Sequence, residues 1–145
     1  MANSIYQRLN KYFDDRGDWG AFVLRLLIGW RLIDGTQDNV FSWSRMLEFR
    51  DFLEQYHVAY PLIAASVSVY AQFICGVLYM IGLWIRPAAL VMIINFIVAL
   101  VVVHFGTTFQ QSFEALTLLF GSLFFLFYGA GKISVEELIN SKNVK

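Results

Sequence analysis

Cysteine, proline and histidine are scarce in these 145 residues: one, two and two respectively. The single cysteine, Cys75, excludes an internal disulfide and any thiolate cluster, so it carries no information on redox compartment. His57 and His104 lie far apart, with no partner at metal-ligand spacing, which leaves no recognisable metal site. A Gly-rich phosphate loop, a Ser-His-Asp order and a zinc motif are all missing. Gly129-Ala130-Gly131-Lys132 reads as a helix terminator. Charge is sparse too: 15% of residues are charged, eleven of each sign, for a net charge of zero. Nothing in that balance points to nucleic acid. No internal repeat or low-complexity segment occurs, and without an inverted repeat a transporter or channel is a weak reading.

What is present is apolar. Hydrophobic residues make up 58% of the chain and aromatics 17%, with a mean hydropathy of +0.57. Soluble domains average roughly 45–50% apolar. Four stretches hold most of this content: 19–33, 61–85, 87–105 and 113–129. The second and third are hydrophobic all round and lack the polar stripe of a surface helix. A spanning helix needs ~20 mainly apolar residues. Lipid offers no partner to exposed backbone groups, so only self-satisfied helices or closed barrels cross it. The expected fold is therefore all-α, an integral membrane four-helix bundle forming a single domain over 1–145. Its membrane helices are expected at about 19–36, 61–85, 87–106 and 112–130. The first and fourth stretches reach full length only with their polar flanks. Residues 1–18 carry Arg8, Lys11, Asp14, Asp15, Arg16 and Asp18 and show no cleavable signal pattern, so the first stretch is expected to stay as a membrane helix.

Local punctuation marks the ends. Asp18 is expected to cap the first membrane helix, and Pro61 and Pro87 fall in the first turns of the second and third. Gly129 and Gly131 end the fourth. Ser134, with Glu137 three residues on, reads as a capping box for a short helix over 135–140. Between the first two spans, Trp43, Met46, Phe49, Leu53 and Tyr56 recur at helical spacing opposite Arg45, Glu48, Asp51 and Glu54. An amphipathic interfacial helix over 42–57 is expected there, either anchored by its aromatics or lying as a lid over the outer mouth. Basic residues set orientation: Arg8, Lys11, Arg16, Arg86, Lys132, Lys142 and Lys145 share one side, against Arg45 and Arg50 on the other. Both termini are expected in the cytoplasm.

Polar residues inside the stretches carry the functional information. A charge at the bilayer centre costs about 2.5–3.5 kcal/mol on insertion scales and usually has a partner. Arg25 lies about six residues into the first helix. It either snorkels to the inner surface or lines an internal polar pocket with acceptors from Gln72, Asn95 or Glu114. Gln72 and Asn95, near mid-depth, are candidates for ligand contact and equally for glue between helices. Arg31 and Asp34 share a face near the outer end. His104 closes the third stretch and Glu114 opens the fourth, at similar expected depth. A carboxylate beside an imidazole favours its protonated form and makes the pair a candidate proton carrier, or else an ion pair that locks two helices.

Leu24-Arg25-Leu26-Leu27-Ile28-Gly29 followed by Gly35 resembles the opening pattern of the DoxX family. The run from Gly76 to Leu90, with Gly82-Leu83-Trp84-Ile85-Arg86-Pro87 at its centre, is similar to that family's junction between helices two and three. His104, Glu114 and the ending from Gly129 to Glu136 resemble its third and fourth helices. Two positions depart from the family pattern: Gln72 where a Glu is common, and Asp34 where a His is frequent. The resemblance implies a small four-helix inner-membrane protein, a redox-linked subunit or a membrane partner of soluble redox enzymes. Small size, the lack of a catalytic motif and the amphipathic 42–57 segment favour instead a non-catalytic anchor or assembly factor for a partner protein. On the first reading Arg25, Arg31, Asp34, Gln72 and Asn95 contact a quinone or similar lipophilic molecule among walls such as Trp30, Phe73, Trp84 and Phe96, and His104 with Glu114 moves protons. The lipid bilayer and a protein partner or a second copy of the chain are the expected partners.

Overall fold

The computed structural model describes residues 2–14 and 16–143. Lys145, one of the basic residues counted for orientation, lies outside them. Among the described residues the chain forms eight helices and no strand: α1 (Ala2–Asp14), α2 (Gly17–Asp34), α3 (Gln37–Phe41), α4 (Trp43–Gln55), α5 (Pro61–Ile81), α6 (Ile85–Val102), α7 (Phe109–Tyr128) and α8 (Val135–Asn143). Three of these are long and apolar enough to cross a membrane: α5, α6 and α7, with mean hydropathies of 1.8, 2.4 and 1.3. Helix α2 matches α6 in length, at 18 residues each. Asp18, Arg25, Arg31 and Asp34 keep it out of that group.

The boundaries differ from the expected ones where backbone geometry intervenes. α5 ends at Ile81, four residues early, because Gly82 takes the left-handed conformation (φ 74°) and closes the helix. Trp84 is also left-handed at φ 50°, an uncommon state for a bulky side chain that needs outside support. The first turn of α8 supplies it. The Glu136 amide donates to the Gly82 carbonyl at 3.0 Å, and the Ile85 amide donates to Glu136 Oε2 at 3.3 Å. α6 thus starts two residues before Pro87, whose missing N–H still falls in the unpartnered first turn. It ends at Val102, leaving His104 in the loop beyond.

Asp18 does not cap α2; the N-cap position is Arg16, without a side-chain bond. Its carboxylate instead accepts from the Tyr128 hydroxyl at 2.9 Å and the Lys132 amide at 3.0 Å. The start of α2 is thereby tied to the end of α7. Ser134 does cap α8, with its hydroxyl accepting from the Glu137 amide at 3.2 Å. Helix α7 has a capping box of its own between Thr108 and Gln111.

Packing follows residue size. α2 runs against α5 through two glycines: a Cβ placed on Gly29 would stand 2.8 Å from the Gly76 carbonyl oxygen, and one on Gly76 2.9 Å from that of Gly29. Small residues at such contacts let backbones approach where lipid gives helices no hydrophobic drive to associate. α6 lies along α7, and α5 joins the two pairs. Ile28, Leu32, Tyr79, Ile85, Met92 and Phe125 fill the centre. The amphipathic segment forms α4 as expected, preceded by the unexpected turn of α3. Met46 and Leu53 are buried against Ala65 and Val69 of α5, each worth ~1.5–3 kcal/mol relative to water. Arg45, Glu48, Asp51 and Glu54 stay exposed.

Candidate functional site in a cleft beneath α4

Polar side chains gather at both ends of the long helices, and the two ends differ in kind. At the first, α2 and α6 begin and α5 and α7 finish. Arg25 is 1% exposed there. Its guanidinium donates to the Ala130 carbonyl and, at 2.6 Å, to the Ile133 carbonyl, with the Phe22 ring 5.6 Å away. Backbone carbonyls of the α7–α8 link are thus the acceptors, in place of Gln72, Asn95 or Glu114. Arg25 neither snorkels nor lines an internal pocket. It fastens the link to α2, and Nε has no partner among the described residues. Arg86 adds a bond from Nε to the Leu126 carbonyl at 3.3 Å.

At the second end α4 roofs two adjoining cavities. One, of about 310 Å³, is the more polar of the two: Arg31, Asn39, Gln72, His104, Gln111 and Glu114 lie around it. Arg31 forms an ion pair with Glu114 and approaches Asp34 at 3.8 Å. Glu114 therefore partners Arg31 across α2 and α7, and no ion pair joins it to His104 among the described residues. All three face the same space nonetheless. Thr107 closes the loop after His104 by donating to its carbonyl at 2.8 Å. The other cavity, of about 510 Å³, is a largely apolar cleft between α5 and α6, roofed by Phe49, Phe52 and Leu53. Phe49, Gln72, Phe96, Ala99 and His104 border both spaces.

The polar edge of the cleft is a short relay. Gln72 Nε2 donates to Ser68 Oγ at 3.0 Å, and Ser68 Oγ donates to Asn95 Oδ1 at 2.8 Å. With its oxygen so engaged, Asn95 keeps its amide N–H donors for whatever occupies the cleft. The bond from Ser68 on α5 to Asn95 on α6 is a link between helices, as the glue reading expects. Ser68 escaped sequence reasoning, although it stands four residues before Gln72 and so on the same face. Of the expected aromatic walls, Phe96 borders the cleft. Trp30 and Trp84 point outward, at 60% and 65% exposure, and Phe73 packs on Phe41 at 6.0 Å. No group of three or more His, Cys, Asp or Glu able to hold a metal ion occurs among the described residues.

Comparison with protein families matches residues 20–105 to DoxX. The chain belongs to the DoxX family. Among curated proteins and among solved structures nothing matches. DoxX membership together with three apolar helices makes this a membrane protein. The DoxX-like motifs now have a physical account. Arg25 of the opening pattern, Gly82 of the central junction and Ser134 and Glu136 of the ending meet in one cluster: a Cβ at Gly82 would sit 2.8 Å from both the Arg25 guanidinium and Ser134. That end of this DoxX chain is a fastening, whereas the cleft end holds the open polar groups.

Proposed function

We propose that the chain is a redox-linked, four-span inner-membrane subunit that holds a quinone or a similar small lipophilic carbonyl compound in the cleft beneath α4. One observation carries this reading: a mostly apolar space with a single polar edge, which shares His104 with an adjoining charged cavity. Pockets for small molecules are commonly ~300–1,000 Å³, apolar, with a few placed polar groups. Phe49, Phe52 and Phe96 supply flat apolar contact. The Asn95 amide donates to a carbonyl of the ligand, and Ser68 with Gln72 holds that amide in place. A bound quinone supplies two-electron chemistry that also consumes protons. His104, at the border of the two spaces, is placed to carry protons, and the Arg31–Glu114 pair with Asp34 connects it to the outer surface. Electrons come from a soluble donor protein, the partner this reading requires. On this reading both termini lie in the cytoplasm and α4 on the outer side, as the distribution of basic residues favours.

The test is titration of a short-tailed quinone into the protein in nanodiscs, followed by tryptophan fluorescence. Quenching that saturates is expected, weakened at least ~10-fold by Asn95→Leu, a difference of ~1.4 kcal/mol. Unchanged fluorescence, or equal affinity in Asn95→Leu, would sink the redox reading. Co-purification of a stoichiometric partner without ligand binding would favour an anchoring or assembly role instead.

A further inference from the structure

Helix α1 was not foreseen from the sequence and has no place in the cleft chemistry. At 3.6 residues per turn, Ile5, Leu9, Tyr12, Phe13 and Tyr6 fall within an arc of roughly 120°. Gln7, Lys11 and Asp14 occupy the opposite side, and Arg8 and Asn10 flank the two edges. The five apolar side chains are 51–66% exposed; among the described residues only Arg16 lies over one of them, its guanidinium 3.6 Å from the centre of the Tyr12 ring. A helix this short and this one-sided has no reason to hold its face in water.

The level of the membrane surface at this point is fixed by α7. Its last residue, Tyr128, bonds Asp18 in the first turn of α2 at 2.9 Å. The end of a span and the start of α2 therefore lie at one height, whether or not α2 itself crosses. Exposed Trp19 and Trp84 stand at that same end, as aromatics do at a headgroup boundary. α1 joins α2 there through a tight turn, with the Arg16 amide donating to the Phe13 carbonyl at 2.9 Å. The apolar arc thus begins beside the bilayer surface, with Arg8 at its edge and Arg16 against Tyr12.

We infer that α1 is an in-plane membrane anchor, its apolar arc sunk in the headgroup–acyl boundary and its basic edge on anionic lipid headgroups. Apolar area and attraction to anionic lipid add in such helices. The inference stands apart from the cleft and its ligand.

Nitroxide labels at Leu9→Cys, Tyr12→Cys, Gln7→Cys and Asn10→Cys in the full chain, reconstituted in phosphatidylcholine vesicles with and without phosphatidylglycerol, test it. Cys75 is buried, and unsubstituted protein serves as the labelling blank. Labels at 9 and 12 should show several-fold higher oxygen-to-nickel accessibility ratios than those at 7 and 10. Phosphatidylglycerol should deepen them, and Arg8→Gln with Arg16→Gln should abolish that deepening. Water-like ratios at all four positions would overturn the anchor. So would exclusion of both reagents at 9 and 12, the mark of a protein partner or second copy, and so would indifference to phosphatidylglycerol.

Discussion

A guanidinium keeps its proton wherever it is placed, so Arg25 must be met by acceptors. The two carbonyls it reaches, of Ala130 and Ile133, belong to a link that has left helical geometry and has oxygens to spare. Arg25→Leu removes two charge-assisted bonds and strands those carbonyls, at a cost of ~2–4 kcal/mol. Arg25→Lys should recover only part of this, because an ammonium cannot span both oxygens as the planar fork does. Thermal unfolding in detergent checks both values, and quinone affinity of the fraction still folded should be unchanged. A stable Arg25→Leu protein that has lost ligand binding would return Arg25 to the cleft. Glu114 is the contrasting case. The Arg31 and Glu114 side chains are 41% and 58% exposed, and exposed pairs contribute ~0–1 kcal/mol. Glu114→Gln should therefore unfold near the wild-type temperature while slowing proton-coupled turnover. A large loss of stability would mark the pair as structural.

Helices meet through what their sequences leave out. Gly29 and Gly76 have no side chain, and that lack sets the spacing of α2 and α5. Gly76→Val should force them apart: a built Cβ lies 2.9 Å from the Gly29 oxygen and from Ile33 Cγ1. Overpacking of this kind costs ~1–3 kcal/mol, and a lower unfolding temperature with weaker cross-linking between α2 and α5 is the expected result. The apolar runs of α5 and α6, the amphipathic face of α4 and the caps at Ser134 and Gly129 were all legible, because each is a local pattern. α1 was passed over because short polar-flanked segments announce themselves only by periodicity. Gln72, Asn95, His104 and Glu114 were found by their cost in an apolar setting. Their partners were not, since Ser68–Asn95 and Arg31–Glu114 depend on how helices distant in sequence rotate against one another. Asp18 shows the same limit. It looked like a cap, and tertiary donors on Tyr128 and Lys132 took it.

For the whole molecule the open question is whether three helices or four cross the bilayer, and α2 decides it. At 18 residues it is about 27 Å long, close to the ~30 Å hydrocarbon core. It lies along α5, which is apolar enough to span, in contact at Gly29–Gly76. The two therefore occupy the same depth. Its charges fit a crossing helix: Asp18 at one end, Arg31 and Asp34 at the other, and Arg25 alone between them, bonded to carbonyls near the first end. A surface helix would instead need a polar stripe along its length. With α2 crossing, both termini share a side and the residues 36–42 face the opposite one; with three spans, the N-terminal segment would join residues 36–42 and the C-terminus would face away from both. Alkaline phosphatase and green fluorescent protein fusions after residue 143, with insertions at residues 36–42, separate the cases when read beside labelling of a cysteine at position 10. We expect position 10 and the C-terminus to report the cytoplasm and the 36–42 insertion the outer side, as the distribution of lysine and arginine favours. Position 10 reporting with the 36–42 insertion would leave α2 on the surface, and with it would go the four-span bundle on which the outward proton path from His104 depends.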